Sequence, residues 1–333
     1  MLCNGRDGFI TYNILKDIFK NDNANYIYTS RKALMNTAWN TSVDVDSEEN
    51  KFIYNTIIFG RYKNVFELLK YLGLANVDYL SNSIKQKVYE AGFKDLEDDI
   101  RPFQENHEEL QSKIKTLVKS LQLYLYTSVK YHHTIEAKKY LEPLIKDEDI
   151  FIDIGWNGTS QYFIENLLNI SLTGVYFETF KDVIKLPKEI KTDKFMKGFN
   201  NTCRGSQGLL EGCYFIAPHG SVNYYEDNKV YLSYVKEKDR KIKEAIIRGS
   251  LDKCKKLHDK NYYKTWVPEG TIEEIVKRLM LNPTIEEVKV INKIKHNNCG
   301  YDYSIVNYNG KYNELDLKRS FWKTGYSLLS IAK

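Results

Sequence analysis

Two short stretches carry the residue types that hold and transform anionic ligands. The first is Asp153-Ile154-Gly155-Trp156-Asn157-Gly158-Thr159-Ser160-Gln161, which follows the apolar run 150–152 and leads into the apolar-periodic run 162–168. Strand, glycine-containing turn and helix in that order bring backbone N–H groups to a ligand at strand carboxyl ends. Gly155 and Gly158 let the backbone approach, and the first amides of the helix, at Thr159 and Gln161, point at the anion. The second is Asn4-Gly5-Arg6-Asp7-Gly8, in the equivalent place of an earlier β-loop-α segment. Arg6, with Arg31 after Ser30 at the end of the next strand, supplies cations for a phosphate. Facing each other, the two loops predict a site for a nucleotide-sugar or phosphosugar, with Gly8, Asp153 and Trp156 lining it.

Acid–base chemistry points to His219 and Asp7. His219 sits in the turn Pro218-His219-Gly220-Ser221, where a histidine near a cleft serves as general base. Glu211 is placed to orient it or to bind a sugar hydroxyl. The plainer reading of the same residues is that the glycines make turns, Asp7 caps a helix and His219 bonds to backbone. His132-His133 adjoin on a helix and diverge, so they are not a joint metal site. Asp44-Val45-Asp46 matches the short DxD pattern of metal-dependent sugar transferases, but acids before a helix also act as caps. No metal and no cofactor is predicted.

The elements that must position these groups follow from periodicity. Residues 9–19 read as a helix and Tyr26–Thr29 as a strand. That is a β-loop-α-β unit whose first strand has barely begun at Met1, so a preceding segment is expected. Residues 50–146 read as mostly helical, with segments at 52–59 and 65–72, a long one from 107 to 129 and another at 134–141. A second β-α-β unit has a strand at 150–154, a helix at 159–168 and a strand at 172–178. Helices are expected at 236–257, 271–280, 284–294 and 321–331, with Thr284–Glu287 as a capped start. The fold class is therefore α/β: two Rossmann-like β-α-β units with parallel sheet and a large helical insertion, approximating the two-lobed arrangement of many glycosyltransferases. The divisions are 1–49, 50–146, 147–235 and 236–333.

Composition narrows the partners. In 333 residues, 49 basic side chains nearly balance 44 acidic ones, for a net charge of +5, which argues against a dedicated nucleic-acid binder. The five cysteines are scattered without a metal-ligand spacing and read as reduced thiols of a cytoplasmic protein. No apolar run is long enough for a membrane span. The 26 tyrosines suit packing, and at a surface they suit stacking on sugars or bases. A Rossmann-type methyltransferase shares Asp153-Ile154-Gly155 and an acid, Glu178, at the end of the next strand, but Trp156-Asn157 interrupts the alternating glycines of that motif.

An ordered set of motifs extends over nearly the whole chain: Gly5-Arg6-Asp7-Gly8, Tyr28-Thr29-Ser30-Arg31, Asp153-Ile154-Gly155-Trp156 with Gly158-Thr159 and Gln161, Leu210-Glu211, Ala217–Ser221, Asn282-Pro283-Thr284 with Glu286-Glu287, and Trp322-Lys323 with Gly325. The set resembles the region found downstream of HAD-like hydrolase domains, or beside glycosyltransferase domains, in bacterial capsule and O-antigen gene clusters. In that family alanine stands where this chain has Gly5. The Asp-x-Asp nucleophile of HAD hydrolases is absent, so hydrolase activity does not carry over. The resemblance implies sugar or phosphosugar transfer in surface-polysaccharide biosynthesis, with a polysaccharide acceptor and a HAD-like or glycosyltransferase partner. Its alternative is a non-catalytic ligand-binding or scaffold module of such a multidomain protein.

Overall fold

The computed structural model describes residues 1–39, 47–58, 62–74, 81–100, 107–179, 186–194, 207–264, 271–298, 301–320 and 322–332. Five strands form one sheet: β1 (Leu2–Asn4), β2 (Asn25–Ile27), β3 (Ile150–Trp156), β4 (Thr173–Thr179) and β5 (Thr192–Lys194). Their spatial order is β2-β1-β3-β4-β5 and every pairing is parallel. The α/β class is as expected. The two β-α-β units are not two lobes, however, because β1 pairs with β2 on one side and β3 on the other, making them halves of a single sheet. Strand order reverses between β1 and β3, and the carboxyl ends of the strands at such a reversal are where open α/β sheets bind ligands.

Alternation along β3 explains why both faces are covered. Phe151 enters a core shared with the helical insertion, whereas Ile154 and Trp156 enter a second core built with the C-terminal helices. The helix Thr159–Leu168 returns the chain from β3 to β4, as the connecting length requires. In the second core Trp322, Tyr326, Val288 and Met280 pack together, and the Trp322 indole donates to the Met280 carbonyl at 3.0 Å. The helix Ile285–Ile291 begins with the expected capping box, Thr284 and Glu287 exchanging bonds with each other's backbone.

The helical insertion departs from expectation at one point. The helices anticipated at 107–129 and 134–141 are one run: His107–Tyr124, a wider π-type turn over Leu125–Lys130, then Tyr131–Leu141. No glycine or proline interrupts residues 125–141, and the buried positions Leu121, Leu125, Val129, His133, Ala137 and Leu141 continue at every fourth residue through the wide turn. An antiparallel hairpin not anticipated from the sequence, β6 (Val222–Glu226) and β7 (Lys229–Leu232), packs on the end of this run. Its turn, Asp227-Asn228, has φ of 49° and 60°, the left-handed pair that a two-residue hairpin needs. No described helix is long and apolar enough to cross a membrane.

Candidate functional site

The loop after β1 and the end of β3 lie side by side, tied by Asn4. Its amide Nδ2 donates to Asp153 Oδ2 at 3.1 Å, and its Oδ1 accepts a short bond from the Thr29 hydroxyl. One buried asparagine therefore fixes the ends of β1 and β3 and the segment after β2 together. The loop is tight at Gly8, where a Cβ would lie 2.6 Å from the Asn4 nitrogen. Gly8 also occupies the N-cap position, and Asp7 does not cap the helix.

At β3 the backbone is unusual. Gly155 has φ of 119°, and a Cβ there would sit 1.8 Å from the Glu178 carbonyl oxygen, so only glycine fits. Trp156 follows with φ of 45°, a left-handed conformation rare for a bulky side chain and costing about 1–3 kcal/mol. The strain turns the buried Trp156 indole toward Glu211, whose carboxylate accepts its N–H in a short bond. Glu211 rides on the helix Gln207–Cys213. It also borders a narrow crevice of about 10 Å³ with Arg6, Phe215, Ala217, Lys243 and Lys295, which must widen to admit anything larger than a water.

Asp7, Asp153 and Glu211 thus converge, with Arg6 and Arg31 beside them. Burial pushes the Asp7 carboxyl well above its ordinary range, and the charges of Glu211 and Asp153 push it further against the pull of Arg6 and Arg31. Asp153 is pushed up to about 7, chiefly by burial and also by Glu211, while bonds from Asn4 and the Ile154 N–H oppose the shift. Acids with displaced proton affinities beside cations are what acid–base chemistry on an anion requires. Among the described residues no three His, Cys, Asp or Glu side chains are arranged to hold a metal ion.

No protein-family model matches the chain, and no curated protein matches it.

His219 lies against this cluster, boxed by the rings of Phe9, Tyr26 and Tyr28. Its Nδ1 is 2.7 Å from the Gly220 carbonyl, which can only accept, so Nδ1 carries the proton. Its Nε2 therefore accepts from the Tyr26 hydroxyl at 2.8 Å. Burial lowers its pKa, and the ring is neutral. With both nitrogens engaged, His219 orients Tyr26, whose hydroxyl lies within the electrostatic reach of Asp7.

Other anticipated site residues are spent on structure. Gln161 is fully buried. Its amide donates to Glu165 at 2.8 Å and to the Leu172 and Lys191 carbonyls at 3.1 and 3.2 Å, and its oxygen accepts from Tyr176 at 2.7 Å. It faces the core, where the carbonyls just before β4 and β5 and the Tyr176 hydroxyl need partners. Ser30 caps the helix Arg31–Met35 by accepting from Ala33, and it donates to the Val222 carbonyl at 2.6 Å. Gly158 is the N-cap of the helix Thr159–Leu168, where Thr159 is buried and no side chain closes the helix end. The Asn157 Oδ1, just before it, is buried with no hydrogen-bond partner among the described residues. Glu178 is 0% exposed, and its Oε1 accepts from the Thr179 N–H at 2.8 Å. Asp44, Asp46, Cys203, Cys299 and most of the loop 200–208 lie outside the described residues.

Asn4, Tyr26 and Lys243 belong to the site but not to the sequence-based list. Lys243 carried a readable signal: it lies four residues before the buried Ile247, on the inward face of the helix Glu237–Asp259, and is itself 6% exposed. Asn4 was marked only as part of the loop 4–8, and Tyr26 only as a strand residue.

Proposed function

We propose that the crevice at the carboxyl ends of β1 and β3 binds a sugar phosphate or nucleotide-sugar, and that the chain transfers the sugar or phosphosugar in the cytosolic stage of bacterial surface-polysaccharide assembly. The observation that carries the reading is the convergence of Asp7, Asp153 and Glu211 with Arg6 and Arg31 at the point where strand order reverses. Arg6 and Arg31 neutralise the phosphate, and preorganised cations favour the charge that develops on a departing diphosphate. Asp153 takes the proton of the acceptor hydroxyl as its oxygen bonds to the sugar. Asp7, held protonated, gives its proton to the departing phosphate oxygen, so one proton enters the cluster and one leaves. His219 positions Tyr26 in this scheme and is not the base.

Thermal unfolding with a panel of UDP-, GDP- and CMP-sugars and hexose 1-phosphates tests the reading. A ligand present at a hundred times its dissociation constant stabilises the folded chain by about 2.7 kcal/mol. The expected result is stabilisation by at least one compound, abolished in Arg6→Ala/Arg31→Ala. No stabilisation across the panel, or stabilisation undiminished in that variant, sinks it. A second reading, a ligand-binding module without turnover, is favoured by the full engagement of His219. It predicts that Asp7→Asn keeps binding and that the wild-type chain releases no nucleotide or phosphate from the bound compound.

A further inference from the structure

Beyond this crevice lies a larger open groove of about 990 Å³. Its walls are the hairpin β6–β7, the helices Val65–Tyr71 and Asn82–Glu90, and the π-type turn that ends at Lys130. That volume is at the top of the range of about 300–1,000 Å³ occupied by small-molecule sites. Three tyrosines stand along it. Tyr234 is 80% exposed and Tyr124 46% exposed, and Tyr224 is held flat against Tyr231 at 4.6 Å between centroids. Two of these are large rings left in solvent with their faces unused by the core.

Polar groups alternate with the rings. Lys70 lies 3.5 Å from Glu67, His132 lies 4.0 Å from Glu226, and Lys32 donates to the Asn223 side chain at 3.0 Å. At the wall His133 is nine-tenths buried, and its Nδ1 has no hydrogen-bond partner among the described residues. Carboxylates interspersed with lysines, Glu67 and Glu226 among Lys32, Lys70 and Lys87, do not suit a polyphosphate strand, which needs unopposed positive charge along its path. They suit hydroxyl groups, which donate to carboxylates and accept from ammonium groups, while the C–H face of a sugar ring packs on a tyrosine.

We propose that this groove is a second binding site, for an oligosaccharide of several sugar units. It is separate from the carboxylate crevice but close to it. Arg31 acts on the crevice, its neighbour Lys32 lines the groove, and the Ser221 N–H next to His219 and Gly220 donates to the Ser233 hydroxyl at the groove edge.

Titration calorimetry on the full chain tests this with three probes: maltotetraose, a tetrasaccharide alternating uronic acid with N-acetylhexosamine, and an oligothymidylate of matched length. The expected result is saturable binding of at least one tetrasaccharide, weakened tenfold or more in Tyr124→Ala and Tyr234→Ala and unchanged in Arg31→Ala. Both tyrosines are exposed, so their removal spares the fold, and circular dichroism of each variant checks that it does. Absence of saturable binding by either tetrasaccharide overturns the proposal. So does binding indifferent to both tyrosine variants, or preferential binding of the oligothymidylate. Loss of binding in Arg31→Ala would place the sugar in the crevice instead and would also overturn it. Because Arg31→Ala disables only the crevice, failure here leaves the phosphosugar reading intact, and the converse holds.

Discussion

Asp153→Asn removes an ionisable group from the centre of the carboxylate cluster while keeping its shape. Asp153 Oδ2 accepts from Asn4 and Oδ1 accepts from the Ile154 N–H at 2.8 Å, so an amide retains one of those bonds and loses the other. That loss costs about 1 kcal/mol at every pH. The ionisation behaves differently. The carboxyl is raised from an ordinary 3.8 to about 7, so within that window the folded chain holds its proton more tightly than the unfolded chain does. Stability therefore falls as pH rises between those values and is constant on either side. Each pH unit inside the window is worth about 1.4 kcal/mol, so from about pH 5 to about pH 8 the wild-type chain loses about 3 kcal/mol through this group. The variant has no proton to lose there. Its stability relative to wild type should rise by about 3 kcal/mol over the same interval, ending clearly positive despite the lost bond. Urea unfolding followed by circular dichroism at several pH values, with the denaturant slope checked for constancy, measures this directly. Parallel curves for the two proteins, or a difference that shrinks as pH rises, would refute the argument that burial and Glu211 raise the proton affinity of Asp153.

Gly155→Ala places a Cβ into the Glu178 carbonyl and should cost about 3 kcal/mol or more, or abolish soluble expression, as read by the thermal midpoint. Gln161→Ala leaves the Glu165 carboxylate, the Tyr176 hydroxyl and two carbonyls short of a partner, and should cost about 3 kcal/mol in urea unfolding. A Gln161→Ala chain of wild-type stability would mean that Gln161 is not the internal tie described. His219 should stay neutral, in the Nδ1–H form, down to below its ordinary pKa of 6.5, which long-range 1H–15N NMR correlations resolve. A His219 ring that takes up its proton at or above that value would restore it as a candidate base.

The sequence made the second β-α-β unit legible because its signals are local. An apolar run, two glycines and a period of 3.6 fall within a few residues of the observed limits of β3 and the helix Thr159–Leu168. Asp227-Asn228 between two short runs rich in tyrosine and valine was equally local, and read as a hairpin signal it would have announced β6 and β7. Gln161 misled for a physical reason. A polar side chain in the first turn of a helix after a glycine loop has the pattern of a ligand contact whether it turns outward or, as here, inward to satisfy carbonyls just before β4 and β5. The pairing of Asn4 with Asp153 and of Tyr26 with His219 depends on strand order, which spacing along the chain does not encode.

The Asn4–Asp153 hydrogen bond joins residues 149 positions apart, and the helical insertion occupies most of the chain between them. Closing so long a loop costs entropy that three residues of β1 alone cannot recover, whereas the helices inside it form from near neighbours. Folding should therefore proceed from the insertion outward, with β1 docking between β2 and β3 as a late event. The crevice, made where β1 meets β3, exists only once that docking is complete. Its ligand consequently bonds to the finished fold alone and slows unfolding by holding shut the last seam to close.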